Sequence, residues 1–511
     1  MQFFKDHFFA FSSILIVALA IVLKVPLIFS LLLIPLLVSL RVSARRYYIP
    51  TIFIFLAFYG SYTLFNIEPL FAPQPIKIGK DAIWLVLLLA TLPFLDWKRL
   101  TSFPKPVLLL AAIFSFYILS HALLINHDWQ GKALEIRDYL EYLPLAFIPG
   151  LLIKKVRDIQ QTLTDFLLIS TFIALFALLQ DKIPGISVLG GYRVNSTLPN
   201  FFHMAMFLNT FLVLAVATFV RFRDKLNKKI KALLFILMGL LTYSSFLSDS
   251  RGFDLALVGS VILVVVLLWP VWKKSWLLLI PSAVAILAFF TIGPYWASSR
   301  FSDLATQFTH PFVTQSHKTT TKTNVVNTVQ QNLSLINKES KNKNEKDFTV
   351  SHSSDSSVAT RAFNIHMAFD EVKASPLIGH GMLLKNSNPS TAYATDFFLV
   401  DSIVHLGLLG SSLFFALIGS FLIWIAKFYL HHPAKKEIVI LVAFIGIICQ
   451  FLVSAFTTSS WIAFPVNALF WLYVGLASAL VIFYSSSNDS VVLENKKAHT
   501  KESPHLKKGK S

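Results

Sequence analysis

Apolar runs close to twenty residues long follow one another down most of this chain, and runs of that length leave a polypeptide few choices. About 20 consecutive apolar residues cross a bilayer core as a helix, and in hydrocarbon each segment must satisfy its own backbone N–H and C=O groups. The candidate spans are Phe8–Leu23, Pro26–Leu40, Tyr48–Phe65, Ala82–Leu95, Val107–Asn126, Leu143–Ile153, Thr162–Leu179, Phe201–Val220, Ala232–Ser248, Phe253–Trp272, Trp276–Pro294, Ser402–Ala426, Ile438–Phe456 and Trp461–Tyr484. The first two and Leu143–Ile153 are short, so the expectation is an all-α polytopic membrane protein of about 12–14 spanning helices. Composition agrees: 55% of the 511 residues are hydrophobic and 14% charged, against about 45–50% and 25% in soluble domains. The first run, with Lys5 before it and no small-residue cleavage pattern after it, reads as a retained anchor. The single cysteine, Cys449, sits within apolar Leu441–Phe451 and reads as a small core residue.

A formal net charge of +18 would suggest nucleic acid in a soluble protein. Here the basic residues sort by loop. Clusters at 41–46, 98–105, 154–157, 221–231, 273–274 and 427–436 fall on alternate loops, while the opposite short loops carry only scattered Lys and Arg. The bias toward positive cytoplasmic loops then sets both termini in the cytoplasm, and no nucleic-acid partner is called for. Five regions follow: N-terminal spans over 1–191, spans with Arg-bearing periplasmic loops over 192–294, a large periplasmic loop over 295–401, C-terminal spans over 402–484, and a basic cytoplasmic tail over 485–511. Within the long loop, 313–358 is rich in Ser, Thr, Asn, Gln and Lys and reads as disordered. Val358–Ser375 reads as an amphipathic helix stopped by Pro376, and Lys132–Tyr142 as a second amphipathic stretch on the same side.

Charge near a span on the non-cytoplasmic side needs a reason. Arg193 precedes a span within Gly190–Asn200, Arg251 sits in the short Ser248–Phe253 connection, and Arg361 begins the amphipathic helix. Each alone reads as an interfacial residue whose charged tip reaches toward water. Together they suit a diphosphate, because guanidinium groups bind phosphate oxygens bidentately and keep their charge. No paired-Asp, zinc-spacing, phosphate-cradling Gly or nucleophile-elbow motif is present, so neither metal nor cofactor is expected. Span centres look nearly free of ionisable residues, which favours an enzyme at the membrane surface over a lipid-linked oligosaccharide flippase.

Leu247–Leu257 with its Ser250-Arg251-Gly252, Arg361 through Pro376-Leu377-Ile378-Gly379-His380-Gly381, and Leu406-Gly407-Leu408-Leu409-Gly410 together resemble the O-antigen ligase and polymerase superfamily, with Arg193–Asn200 resembling an upstream element of it. The resemblance runs from Tyr192 to Gly410. It implies a bacterial inner-membrane glycosyltransferase that needs no metal, takes glycan from undecaprenyl diphosphate and passes it, at the periplasmic face, to a lipid A-core hydroxyl. A repeat-unit polymerase, with a lipid-linked glycan as acceptor, is the alternative. Arg193, Arg251 and Arg361, with Asn200, would hold the donor diphosphate. The family's acceptor-activating histidine aligns with Asp396, which leaves Asp396 as the base or, with the register displaced, His380 or His405. An acidic residue at that place is more polymerase-like.

Overall fold

The computed structural model describes residues 7–23, 74–126, 129–183, 196, 198, 201–222, 226–248, 251–268, 368–382, 398–431, 438–455 and 465–501. The expected spans at Pro26–Leu40, Tyr48–Phe65 and Trp276–Pro294 and the low-complexity stretch 313–358 lie outside them. The chain divides into two compact units, one of residues 1–274 with 370–511 and one of 275–369, and every helix named below belongs to the first.

All regular structure among the described residues is helical. In chain order the helices are α1 (Phe8–Leu23), α2 (Gln74–Thr91), α3 (Lys105–Leu124), α4 (Trp129–Leu140), α5 (Ile148–Leu152), α6 (Val156–Lys182), α7 (Phe201–Phe222), α8 (Lys228–Phe246), α9 (Arg251–Leu268), α10 (Phe398–His431), α11 (Ile438–Ser454) and α12 (Val466–Lys501). Five are long and apolar enough to cross a membrane, within Lys105–Leu124, Arg157–Lys182, His203–Val220, Phe398–His431 and Val466–Ser485. Helix α12 continues past Tyr484, where the last apolar run was expected to end, as far as Lys501.

Apolar character all round a helix marks an interior position. Helices α7 and α12 have it, and they form the centre: 78% and 94% of their membrane windows are buried within the protein. Helix α11 joins them, and α9 packs against both α7 and α11. Outer helices carry two stripes. In α3, Val107, Ala111, Phe114, Ile118 and Ala122 face inward, whereas Leu109, Phe116 and Leu123 face outward and are more than half exposed, as suits contact with lipid. The inner stripe of α3 meets α10, where Phe414 lies at ring-centroid distances of 5.4 Å from Phe114, 5.7 Å from Phe398, and 6.1 Å from both Tyr139 and Trp471. Four helices thus share one aromatic knot, each such pair contributing about 0.5–1.5 kcal/mol beyond area burial.

One expectation changes. Leu143–Ile153 is not one helix: Pro144 and Pro149 each open a new short segment, a 3-10 turn at Leu143–Ala146 and then α5, because proline removes a donor and starts helices more readily than it continues them. Lys132–Tyr142, read as an amphipathic stretch, lies mostly in α4 and buries acidic as well as apolar side chains. Glu135 is fully buried and Asp138 is 8% exposed, and α4 leads through the broken 143–152 stretch to the far end of α3, where Asp96 N–H bonds Leu151 O and Arg99 Nη1 donates to Ile153 O at 2.5 Å. Residues 129–153 therefore traverse the bundle as a broken helix beside α3.

Helix ends pair in a way that fixes which termini share an end of the bundle. Tyr429, late in α10, donates to Leu267 O at the close of α9, so α9 and α10 begin at the same end. Ser244, late in α8, donates to Ala174 O, late in α6, at 3.0 Å. Ser196 docks on that part of α6, its Oγ donating to Ile173 O at 2.7 Å and its N–H to Gln180 Oε1 at 2.8 Å.

Candidate functional site

Pro376–Met382 docks into a break in α10. Gly407 adopts φ 66° and ψ −178°, which ends the run of i to i−4 hydrogen bonds. In an unbroken helix the N–H groups of Leu408 and Leu409 would bond Val404 O and His405 O. Here Leu408 N–H donates to Pro376 O at 2.8 Å and Leu409 N–H to Leu377 O at 3.1 Å. The vacated carbonyls are taken up in return: His380 N–H donates to Val404 O and Gly381 N–H to His405 O, each at 2.9 Å. Leu406 O accepts from Tyr117 Oη on α3 at 2.6 Å. The two freed N–H groups and the carbonyls of Val404, His405 and Leu406 thus all have partners, as burial favours. The two Gly-containing elements singled out in the sequence are halves of one joint.

Glycine is required on both sides of it. Gly379 has φ 81°, and a Cβ there would strike His405 O and Gly407 N; a Cβ on Gly407 would strike Leu377 O. Both the left-handed backbone and the approach of main chain to main chain exclude side chains.

Beneath the joint lies a buried polar cluster. His121 Nδ1 is 2.6 Å from Glu135 Oε1, with both side chains at most 1% exposed. His121 Nε2 donates to Ile378 O at 2.7 Å. Asn126 Nδ2 donates to Glu135 Oε2 at 2.6 Å, while Asn126 Oδ1 accepts from Met382 N–H at 2.9 Å. Next to it on α4, Arg137 pairs with Asp138 at 2.7 Å, and Asp138 O accepts from Asn467 at the start of α12. His121 lies in the last turn of α3 and Glu135 outside the apolar runs read as spans, so the expectation about span centres did not cover this pair. An ionisable residue within an apolar run, as His121 is within Val107–Asn126, was the available signal. Its partner on α4 was masked by the polar appearance of Lys132–Tyr142.

Of the residues expected to carry chemistry, His380 and His405 meet at the joint. His380 is half-buried; its Nε2 donates to Glu371 O at 2.8 Å, which leaves Nδ1 as the nitrogen that can accept a proton, and the Glu371 carboxylate lies 3.7 Å from Nε2. His405 Nδ1 is buried with no hydrogen-bond partner among the described residues. Arg251 is the first residue of α9 and so stands at the end of the bundle where α10 begins and the joint lies. Arg193, Asn200, Arg361 and Asp396 lie outside the described residues.

No curated protein matches the chain. A family model described as O-antigen ligase matches residues 233–415, a stretch that opens in α8, contains Arg251, Arg361, His380, Asp396 and His405, and closes just beyond the Gly407 kink, while Arg193 and Asn200 fall before it. The joint between Pro376–Met382 and α10 lies wholly inside the matched stretch, so within this helical membrane protein residues 233–415 are similar to the O-antigen ligase family.

Proposed function

We propose that the protein is a glycosyltransferase that moves glycan from undecaprenyl diphosphate to a hydroxyl of the lipid A core at the periplasmic face of the inner membrane. The observation that carries this reading is the joint itself: the Gly-rich element and the α10 kink interlock at the bundle end where Arg251 opens α9, inside the residues that match the O-antigen ligase family.

Arg251 and Arg361 hold the donor diphosphate and stabilise the charge that grows on it as the bond from sugar to phosphate breaks, with Arg193 and Asn200 completing the grip. Diphosphate is a good leaving group, so positioning and electrostatic stabilisation carry most of the rate. Asp396 takes the proton of the acceptor hydroxyl. If His380 takes it instead, Nδ1 is the receiving atom, since Nε2 is committed to Glu371 O. His405 is the weaker candidate, because its Nδ1 is enclosed. Basic clusters at the end of the bundle opposite the joint, including Arg99 and Lys154, support an orientation with the joint in the periplasm.

The acid at position 396 favours a second reading, a repeat-unit polymerase whose acceptor is another lipid-linked glycan. A deletion strain separates the two. Full-length chains stranded on undecaprenyl diphosphate mark a lost ligase; decoration of the lipid A core with single repeats marks a lost polymerase.

A further inference from the structure

We propose that His121, Asn126 and Glu135 form a positioning latch that grips Pro376–Met382 on either side of His380 and so fixes where His380 stands in the site; this rests on the glycan-transfer reading above.

The geometry shows how the latch closes. His121 Nε2 holds Ile378 O and Asn126 Oδ1 holds Met382 N–H, so side chains in the last turn of α3 and just beyond it grasp the segment two residues before and two residues after His380. Glu135 from α4 ties the two gripping residues together, one carboxylate oxygen to each. The hydrogen atoms are constrained as well. Ile378 O can only accept, so His121 Nε2 carries a proton, and the bond from Nδ1 to Glu135 Oε1 then contains one further proton, on the ring or on the carboxyl. Either way the pair is neutral as a unit, which is what allows it to sit where water does not reach.

Apolar side chains would fill this space without the cost of burying ionisable groups. What the triad adds is direction: one specific C=O and one specific N–H each meet an oriented side chain, with the Tyr117 hydroxyl also 3.3 Å from Ile378 O. It acts through the segment it holds, so its role is to place His380.

The substitution Glu135→Gln separates geometry from charge. A Gln amide can donate to His121 Nδ1 and accept from Asn126 Nδ2, keeping every hydrogen bond with a neutral ring. The experiment measures amide hydrogen exchange over 376–382 and glycan-transfer kinetics for full-length protein in detergent or nanodiscs. Glu135→Gln should keep both near wild type. Glu135→Ala should speed exchange at Gly381 and Met382 and lower kcat by about 10²-fold, as expected for a misplaced reacting group, with the KM for the diphosphate-linked donor little changed. Should Glu135→Ala fail to accumulate, Asn126→Ala, which leaves the His121–Glu135 pair intact, must still speed exchange at Met382 and lower kcat. Unchanged exchange in the Ala variants, or a Glu135→Gln variant as impaired as Glu135→Ala, overturns the latch. Because exchange is read without any substrate, failure of the glycan-transfer reading would leave the exchange pattern intact and is distinguishable from failure of the latch.

Discussion

Gly379 and Gly407 lie main chain against main chain, both with positive φ: Gly407 N closes the space where Gly379 would carry a side chain, and Leu377 O closes that of Gly407. One glycine is in the segment before α10 and the other inside it, so the pair states in two residues why a Gly-x-Gly element and a Gly-Leu-x-Gly element occur together. Replacing either with alanine imposes a left-handed backbone on an L-residue and drives Cβ into fixed backbone. Gly379→Ala and Gly407→Ala should each cost more than about 2 kcal/mol, read as a lower melting temperature in detergent. Gly239→Ala, at a helical glycine with open space where Cβ would stand, serves as the control and should not destabilise.

The Tyr117 hydroxyl has a narrower task. It donates at 2.6 Å to Leu406 O, the carbonyl immediately before the kinked Gly407. Tyr117→Phe removes that donor and little volume, so it should destabilise by about 1–3 kcal/mol, the cost of leaving a buried acceptor unmet. Thermal unfolding of the two proteins side by side checks it. Equal stability would show that Leu406 O needs no partner.

Much of the span pattern is legible in the sequence because hydrocarbon imposes a length on each apolar run. Phe8–Leu23 coincides with α1, and the runs starting at Phe201 and Ile438 begin at the first residues of α7 and α11. Legibility stops where polarity is buried. Lys132–Tyr142 looks like a surface helix because half its residues are polar, yet Glu135 answers His121 14 positions earlier and Asp138 O answers Asn467, 329 positions away. Periodicity within one helix cannot announce partners so distant. The Leu143–Ile153 run misleads in the opposite sense: its composition suits a span, but two prolines cut it into pieces too short to be one. At the site, the Gly-rich motifs and His380 and His405 were visible as separate words, whereas their interlocking through Leu408, Leu409 and Tyr117 depends on a kink that only the folded backbone reveals.

At the other end of the bundle, Asp96 lies 3.1 Å from Lys154 and 3.9 Å from Arg99. The hydrogen bond from Lys154 holds its carboxyl below the ordinary value of 3.8. A carboxylate with a lowered pKa in the folded state stabilises the fold above its unfolded pKa, and that contribution is lost as pH falls through the folded value. Asp96→Asn should therefore melt lower than wild type near neutrality, with the difference shrinking once the pH drops below the 3.8 reference. A gap that stays constant down to strong acid would remove the ion pair from the account.

The diphosphate clamp makes the sharpest demand. Arg251→Ala and Arg361→Ala should each abolish transfer while the protein stays in the membrane at normal abundance, and Arg361→Lys should fail as well, because an ammonium is a point charge and cannot reproduce the two-pronged guanidinium contact. The measurement is glycan transferred from undecaprenyl-diphosphate donor to lipid A-core acceptor, normalised to protein in the membrane. Loss in all three variants is the predicted result; transfer retained in both alanine variants would contradict the diphosphate-holding role proposed for these arginines.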